Sequence, residues 1–344
     1  MGGGSFSWPQ ILSSLLAGSS LSEEDTAAAM TEIMDGAATP AQIAGFVVAL
    51  RAKGETVDEI VGLVRTMRDR GARVPVASEV LDTCGTGGDR SGTFNVSTAA
   101  AIVCAGAGAV VAKHGNRAAS SRCGSADVLE ALGVRIDLPP DGVARCIEEA
   151  GIGFCFAPMF HPAMRHAAVP RRELGIATVF NFLGPLTNPA GATRQALGVS
   201  DERMIDKMVD ALARLGSTHV IAFRGHDGLD ELSTARSSAV VELRDGMVRK
   251  WELDPASLGF APPEEGAIAG GSADENAAMV RDVLDGSKGP RRDIVVLNAA
   301  AGLVAAGHAV DMNEGVARAG DALDSGAGKE ALERLVTVSN VAAA

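Results

Sequence analysis

Three stretches of this chain carry residue types suited to handling phosphate. Lys113-His114-Gly115-Asn116-Arg117-Ala118-Ala119-Ser120-Ser121 brings together two cations, an amide and hydroxyls. Upstream lies Cys84-Gly85-Thr86-Gly87-Gly88-Asp89, whose glycines lack a Cβ and let backbone N–H groups approach an anion closely. Thr93, Asn95, Ser97 and Thr98 follow at the start of an apolar run, where a helix N-terminus would present unpaired N–H groups and partial positive charge. Farther on, Asp227-Gly228-Leu229-Asp230-Glu231 sets carboxylates on a loop. Mg²⁺ takes one or two carboxylates and completes its shell with waters and substrate phosphates. Together these stretches read as a site for a phosphorylated small molecule.

Each stretch also has a plainer reading. The glycines alone make a tight turn, and Asn95 or Ser97 would cap a helix. Lys113 and Arg117 would be solvated at the surface, His114 would bond its own loop, and the acidic pair would be a solvated turn. The glycine run is not GxGxxG, because Arg90 stands where a third glycine is needed, and no Gly-Lys-Ser/Thr follows to make a P-loop.

The elements that must position these residues follow from the pattern. The first 72 residues show four helix starts: Ser7 then Pro9, Ser22 with Asp25, Thr39 then Pro40, and Thr56 with Asp58 and Glu59. Ile43, Phe46, Val47 and Leu50 lie on one helical face, as do Ile60, Leu63, Val64 and Met67. From Val80 onward the texture alternates. Strands are predicted at Val80–Thr83, Ala109–Ala112, Gly153–Ala157, Gln195–Val199, His219–Arg224 and Ala239–Leu243. Helices are predicted at Ser125–Leu132, Asp141–Glu149 and Asp201–Leu215. This predicts an α/β fold with a mostly parallel central sheet flanked by helices, beside a small all-helical lobe. Val96 to Ala112 reads as a buried helix leading into a strand, which places both polar loops at the sheet edge, where such folds open their ligand crevice. Arg236 to Glu252, centred on Asp245-Gly246, reads as a hairpin. Helices around Asn276–Leu284, Asp293–Ala306 and Asn313–Asp324 close the chain. The expected division is a helical lobe at 1–72 and an α/β domain at 73–344, joined by a helical segment near 161–190.

Composition narrows the function. Aromatic residues make up 3% of the chain, with no tyrosine, and the net charge is −12, which argues against base stacking and against a nucleic-acid backbone as partner. Five cysteines without a CxxC pair fit neither a disulfide framework nor a zinc site and suit a reducing compartment. No signal peptide, myristoylation pattern or membrane span is evident, so the expected location is cytoplasmic, away from any membrane.

Gly85-Thr86-Gly87-Gly88-Asp89, Asn95-Val96-Ser97-Thr98, Lys113-His114-Gly115-Asn116-Arg117, Asn181-Phe182-Leu183-Gly184-Pro185-Leu186-Thr187-Asn188-Pro189 and Asp230-Glu231 occur in the order seen in the anthranilate phosphoribosyltransferases of tryptophan biosynthesis. The chain resembles that family from its helical start to about Asn340. The resemblance implies transfer of the phosphoribosyl group of PRPP to the amine of anthranilate, on a nucleoside phosphorylase/phosphoribosyltransferase-like fold. It implies that Gly85, Gly88, Asp89, Thr93, Asn95, Val96, Ser97 and Thr98 hold the diphosphate and ribose of PRPP. Lys113, His114, Gly115, Asn116, Arg117, Ala118, Ala119, Ser120, Ser121 and Ser125 would complete the phosphate contacts. Two Mg²⁺ ions per subunit are expected, one on Ser97 and Glu231, the other on Asp230 and Glu231. Gly85, Asn116 and Arg171 would face anthranilate, with Arg171 on its carboxylate. No covalent nucleophile is expected, and His114 is a candidate helper for the proton lost after attack. The family usually forms a homodimer through its helical lobe.

Three residues depart from the family pattern. Pro170 should end or kink the helix leading to Arg171. Ala177 stands in a Gly-Ile-x-Thr context where relatives often carry a larger residue, which bears on the acceptor pocket. Arg90 replaces a frequent glycine and adds a positive charge. The rival readings are a pyrimidine-nucleoside phosphorylase of the same fold, a phosphoribosyltransferase with another aromatic acceptor, and a non-catalytic metabolite sensor.

Overall fold

The structure, a computed structural model, describes residues 6–118 and 122–343; the candidate contacts Ala119, Ser120 and Ser121 lie outside the described residues. Seven strands form one sheet: β1 (Leu81–Gly85), β2 (Val111–Gly115), β3 (Ile152–Phe156), β4 (Arg194–Gly198), β5 (His219–Gly225), β6 (Ser238–Arg244) and β7 (Met247–Leu253). Their order is β3-β2-β1-β4-β5-β6-β7, parallel through β5 and antiparallel beyond it. Asp245 (φ 51°) and Gly246 (φ 79°) both take the left-handed backbone that a two-residue hairpin turn demands between β6 and β7.

Four helices precede the sheet: Trp8–Leu16, Glu23–Met34, Pro40–Lys53 and Val57–Arg70. Ser22, Thr39 and Thr56 each close a reciprocal capping box, with Asp25, Gln42 and Glu59 respectively, whereas Ser7 makes no side-chain cap. Strand alternation divides the core. Val220 and Ala222 of β5 join the helical bundle and the Glu202–Arg214 helix on one sheet face, while Ile221 and Phe223 join the Val96–Gly106 and Pro290–Ala305 helices on the other. Both faces are thus covered, as a parallel sheet requires. Polar ties fix the bundle to the sheet layer. Arg68 donates to the carbonyls of Leu186 and Leu215, and Arg51 pairs with Asp201.

The structure departs from the sequence reading in four places. Lys113, His114 and Gly115 are the end of β2, so the polar loop begins only at Asn116. The helix carrying Arg171 runs through Pro170, from Arg165 to Leu174, and stops at Gly175 (φ 61°). A proline forfeits one hydrogen bond in so short a helix, and the buried ring offsets that loss. A last helix, Ala327–Ala342, was not foreseen; it packs on the Pro140–Ala150 and Val96–Gly106 helices. Ala177 is exposed.

The antiparallel extension is anchored by Glu242. Burial works against its charge, but hydrogen bonds from His219 (3.1 Å), Arg249 (2.8 Å) and Trp251 (3.1 Å) outweigh that and bring the carboxyl down to about 2. A depressed carboxyl stabilises the fold above its ordinary pKa, and the contribution fades as pH falls toward the depressed value. Glu242→Gln should therefore cost roughly 2–3 kcal/mol at pH 7 and little near pH 2, as read from urea midpoints. Equal midpoints at pH 7 would refute the anchor.

Candidate active site

The chain steps outward from β1 to β2 and β3, then crosses to β4 on the other side of β1. Strand order therefore reverses between β1 and β4, and a crevice opens at their carboxyl ends. Those ends are Gly85 and Gly198, paired in register. A Cβ on Gly85 would overlap the Asp230 carboxylate, and one on Gly198 would overlap the Asp230 carbonyl. Two missing side chains thus admit the acidic loop to the mouth of the crevice.

The glycine loop folds over that mouth. Gly87 (φ 67°), Gly88 (φ 83°) and Gly92 (φ 68°) adopt backbone angles that favour glycine, and Arg90 (φ 59°) does so without being one. Gly87 N–H donates to Asp230 Oδ2 at 2.7 Å. The far end is stitched down by Phe94 N–H to the Ile268 carbonyl (3.1 Å) and Gly270 N–H to the Gly92 carbonyl (2.8 Å). Asn95 occupies the N-cap of the Val96–Gly106 helix without capping it; its side chain donates to the Cys123 carbonyl and accepts from Asn276. Glu231 serves instead, accepting from Ser97 N–H at 3.1 Å.

Lys113 is buried rather than solvated. Its Nζ donates to the Thr83 carbonyl (2.5 Å) and lies 3.5 Å from Ser97 Oγ. Burial lowers its pKa, while Asp82, Cys84 and Glu231 work the other way. Asp230 and Glu231 are held above the ordinary carboxylate range, first by burial and then by negative neighbours: Asp89 for Asp230, and Asp230 for Glu231. Asp89 Oδ2 is buried without a partner. Beneath the pair, Asn298 accepts from Leu232 N–H (2.9 Å) and donates to the Leu232 carbonyl (3.0 Å), fixing the peptide that follows Glu231.

His114 turns inward. Burial, with smaller contributions from His161 and Lys113, brings its pKa down to about 3, so the ring is neutral. Nδ1 lies 3.0 Å from the Gly184 carbonyl, which can only accept, so Nδ1 carries the hydrogen. Nε2 is then a bare acceptor, buried and without a partner. The His161 ring lies 5.5 Å away, bonded to the Thr187 carbonyl. Arg171 enters from the Arg165–Leu174 helix, half-buried, its guanidinium 5.8 Å from the Phe180 ring centre. It has no carboxylate partner among the described residues.

One cavity of about 800 Å³ is lined by every described candidate residue from Gly85 to Glu231. Arg117 reaches it, but its guanidinium is engaged by Asp127 and Glu130 and rests on Phe156, so much of its charge is already matched. Ala177 does not line it, which removes the ground for an altered acceptor pocket at that position. Sequence reasoning missed His161 and Met67, both of which line the cavity. No spacing relates them to the loops; the Val57–Arg70 helix delivers Met67, and the Ala157–Phe160 turn delivers His161. Asp82, whose Oδ1 receives the His114 N–H, did carry a signal: a carboxylate inside an apolar strand run.

Among the described residues no group of three or more His, Cys, Asp or Glu side chains is arranged to hold a metal alone. Mg²⁺ bound jointly with a polyphosphate needs only one or two carboxylates. Asp89 beside Asp230 and Asp230 beside Glu231 crowd negative charge that a divalent cation would neutralise.

Two family models cover the chain: the helical bundle domain of a glycosyl transferase family at residues 9–71 and its a/b domain at 77–329. The anthranilate phosphoribosyltransferase of Arthrobacter sp. (strain FB24) is 56% identical over 338 residues, covering 96% of each chain. This chain belongs to the anthranilate phosphoribosyltransferase family. The crystal structure of the Thermus thermophilus anthranilate phosphoribosyltransferase superposes with a TM-score of 0.90 at 46% identity, covering 96% of this chain and 99% of that one. The Saccharomyces cerevisiae anthranilate phosphoribosyltransferase, solved in complex with PRPP and Mg, gives 0.88 at 28% identity, covering 97% and 98%. Membership in the anthranilate phosphoribosyltransferases makes the chain an enzyme and displaces the nucleoside phosphorylase and sensor readings.

Proposed function

We infer that the protein transfers the 5-phosphoribosyl group of PRPP to the amine of anthranilate, releasing pyrophosphate, as a step of tryptophan biosynthesis. The observation that carries this reading is the group formed by buried Glu231 with half-buried Asp230 and Asp89, facing a glycine cradle and a helix N-terminus that no side chain of its own caps. Such an arrangement suits a metal-bound diphosphate leaving group better than a neutral ligand. Ser97 with Glu231, and Asp230 with Glu231, would hold two Mg²⁺ ions. When bound, they would neutralise the charge that develops on the departing pyrophosphate.

The chain's own residues supply the rest. Gly88, Asp89, Thr93 and Asn95 to Thr98 surround the diphosphate and ribose, and Lys113 adds a preorganised buried cation. Asn116, Ser125 and the rim around Arg117 and Ala118, with Ala119 to Ser121, complete the phosphate contacts. An aromatic amine is neutral at pH 7 and attacks without prior deprotonation. His114 lines the cavity, but its bare Nε2 is buried and would accept a hydrogen bond from that amine only if the ring turned outward. At a pKa of about 3 it is too weak a base to keep the proton, which leaves with pyrophosphate or water. Gly85 leaves room for the ring, and Arg171 meets the carboxylate.

We take residues 1–72 and 73–344 as the two lobes, a homodimer as the assembly and the cytoplasm as the location. All five cysteines are buried, and no helix of the described residues is long and apolar enough to cross a membrane.

Purified protein should consume anthranilate fluorescence only with both PRPP and Mg²⁺ present. PRPP binding without fluorescence loss would assign another acceptor. Within that assay, Arg171→Ala should raise the anthranilate KM about 10–50-fold, the worth of a charge-assisted pair, and leave the PRPP KM within about twofold. An equal rise in both constants would remove Arg171 from the carboxylate.

A further inference from the structure

Ser200 lies just past β4, outside every motif singled out above, and does not line the cavity. Its hydroxyl donates to the Gly87 carbonyl at 2.8 Å. Its N–H donates to Thr86 Oγ1 at 3.0 Å, and the two hydroxyl oxygens are 3.0 Å apart. The Thr86 hydroxyl also donates toward the Gly87 carbonyl at 3.4 Å, so both hydroxyls converge on that one oxygen. Gly87 is therefore pinned at both polar ends, its carbonyl by Ser200 and its N–H by Asp230. Among the described residues the N–H groups of Gly88 and Asp89, next in the loop, donate no hydrogen bond within the protein, and both residues line the cavity.

Ser200 is itself held from two directions. Arg224 donates to its carbonyl at 3.1 Å. The adjacent Asp201 is clamped by Arg51, which comes from the Pro40–Lys53 helix of the bundle and lies over Phe182. A continuous polar path thus runs from the helical bundle through Asp201 and Ser200 to Gly87 and the Asp230 carboxylate.

We propose that Ser200 is a positioning residue for the diphosphate site: it sets Gly87 so that the next loop N–H groups and the Asp230 carboxylate point at one ligand, and it ties that setting to the helical bundle. The proposal rests on the PRPP reading of the cavity. A glycine loop with φ above +60° at Gly87 and Gly88 has many alternative backbone states, and two hydrogen bonds on one residue remove most of them.

The test compares Ser200→Ala, Ser200→Thr and unsubstituted enzyme. Ser200→Ala should raise the PRPP KM and the Mg²⁺ concentration for half-maximal rate about 3–10-fold, as the loss of one hydrogen bond from a half-buried hydroxyl would. The anthranilate KM should stay within about twofold and the melting temperature within about two degrees, since a half-buried surface hydroxyl adds little to global stability. Ser200→Thr, which restores the hydroxyl, should recover most of the loss. An unchanged PRPP KM, an equal rise for anthranilate, or failure of threonine to rescue would each overturn the assignment. If unsubstituted enzyme did not consume anthranilate, the functional reading would fail separately. Calorimetry with Mg²⁺ and PRPP would then decide: weaker binding by the alanine variant, restored by threonine, sustains the positioning role, and equal or absent binding ends it.

Discussion

Asp230→Asn combined with Glu231→Gln should lower turnover by roughly 10³-fold or more while raising the melting temperature of the ligand-free protein. The two effects share one cause. Glu231 is buried and Asp230 half-buried, each beside the other, with Asp89 adding negative charge at Asp230 and Lys113 offsetting Glu231. Their mutual repulsion costs stability in the free protein and is the source of their affinity for cations. The amides keep oxygens that accept from Gly87 and Ser97 N–H, so the hydrogen bonds at 2.7 and 3.1 Å survive without the charge. A gain of about 1 kcal/mol or more is expected, or about 1–2 °C for each kcal/mol in a chain of this size. Mg²⁺ with PRPP should raise the melting point of the unsubstituted protein and not of the variant. Near-normal turnover, or a fall in stability matching a misfolded loop, would refute the metal-binding role.

Lys113→Met should move stability the other way. It deletes the one cation buried among Asp82, Glu231 and their neighbours and leaves the Thr83 carbonyl without its donor. Removing one partner from a buried charge cluster typically costs about 3–5 kcal/mol, and turnover should fall at least as far as in the carboxylate variant. The decisive measurement is urea unfolding of Lys113→Met, of the carboxylate double variant and of all three changes together. If the cluster is one electrostatic unit, the triple variant recovers much of what Lys113→Met alone loses. Simple additivity would show instead that Lys113 acts through packing.

Much of the fold was legible because its signals are local. Ser22, Thr39 and Thr56 announce helices through partners three residues away, and Asp245-Gly246 announces a hairpin through its own backbone angles. The parallel sheet followed from alternation of short apolar runs with helical ones. The Ala327–Ala342 helix escaped because its buried face is built partly from small residues, Gly328, Ala331 and Ser339, which give a weak periodic signal. The site was legible as a list of chemically suitable residues but not as geometry. Nothing in the spacing of Ser97 and Glu231 says that one caps the other's helix. Nothing around His161 says that its ring comes to lie 5.5 Å from that of His114. The family resemblance supplied the roles, and the fold supplied the neighbours that redefine some of them. Lys113 became a strand residue, Arg117 is occupied by Asp127 and Glu130, and His114 turns into the protein with burial lowering its pKa.

The facing glycines at the ends of β1 and β4 bear on how freely this enzyme can change. At Gly85 the obstruction to a methyl group is the Asp230 side chain, which a shorter residue would clear; at Gly198 it is the Asp230 backbone, which no side-chain exchange moves. A shorter residue at position 230 would therefore relieve the crowding at Gly85 only by giving up the carboxylate proposed to hold Mg²⁺, whereas no side-chain exchange relieves it at Gly198. In any survey of tolerated variation, Gly198 would rank with Asp230 and Glu231 although it does not line the cavity. A map of intolerance drawn for this protein would outline the acidic loop's footprint on the sheet as well as the chemistry above it.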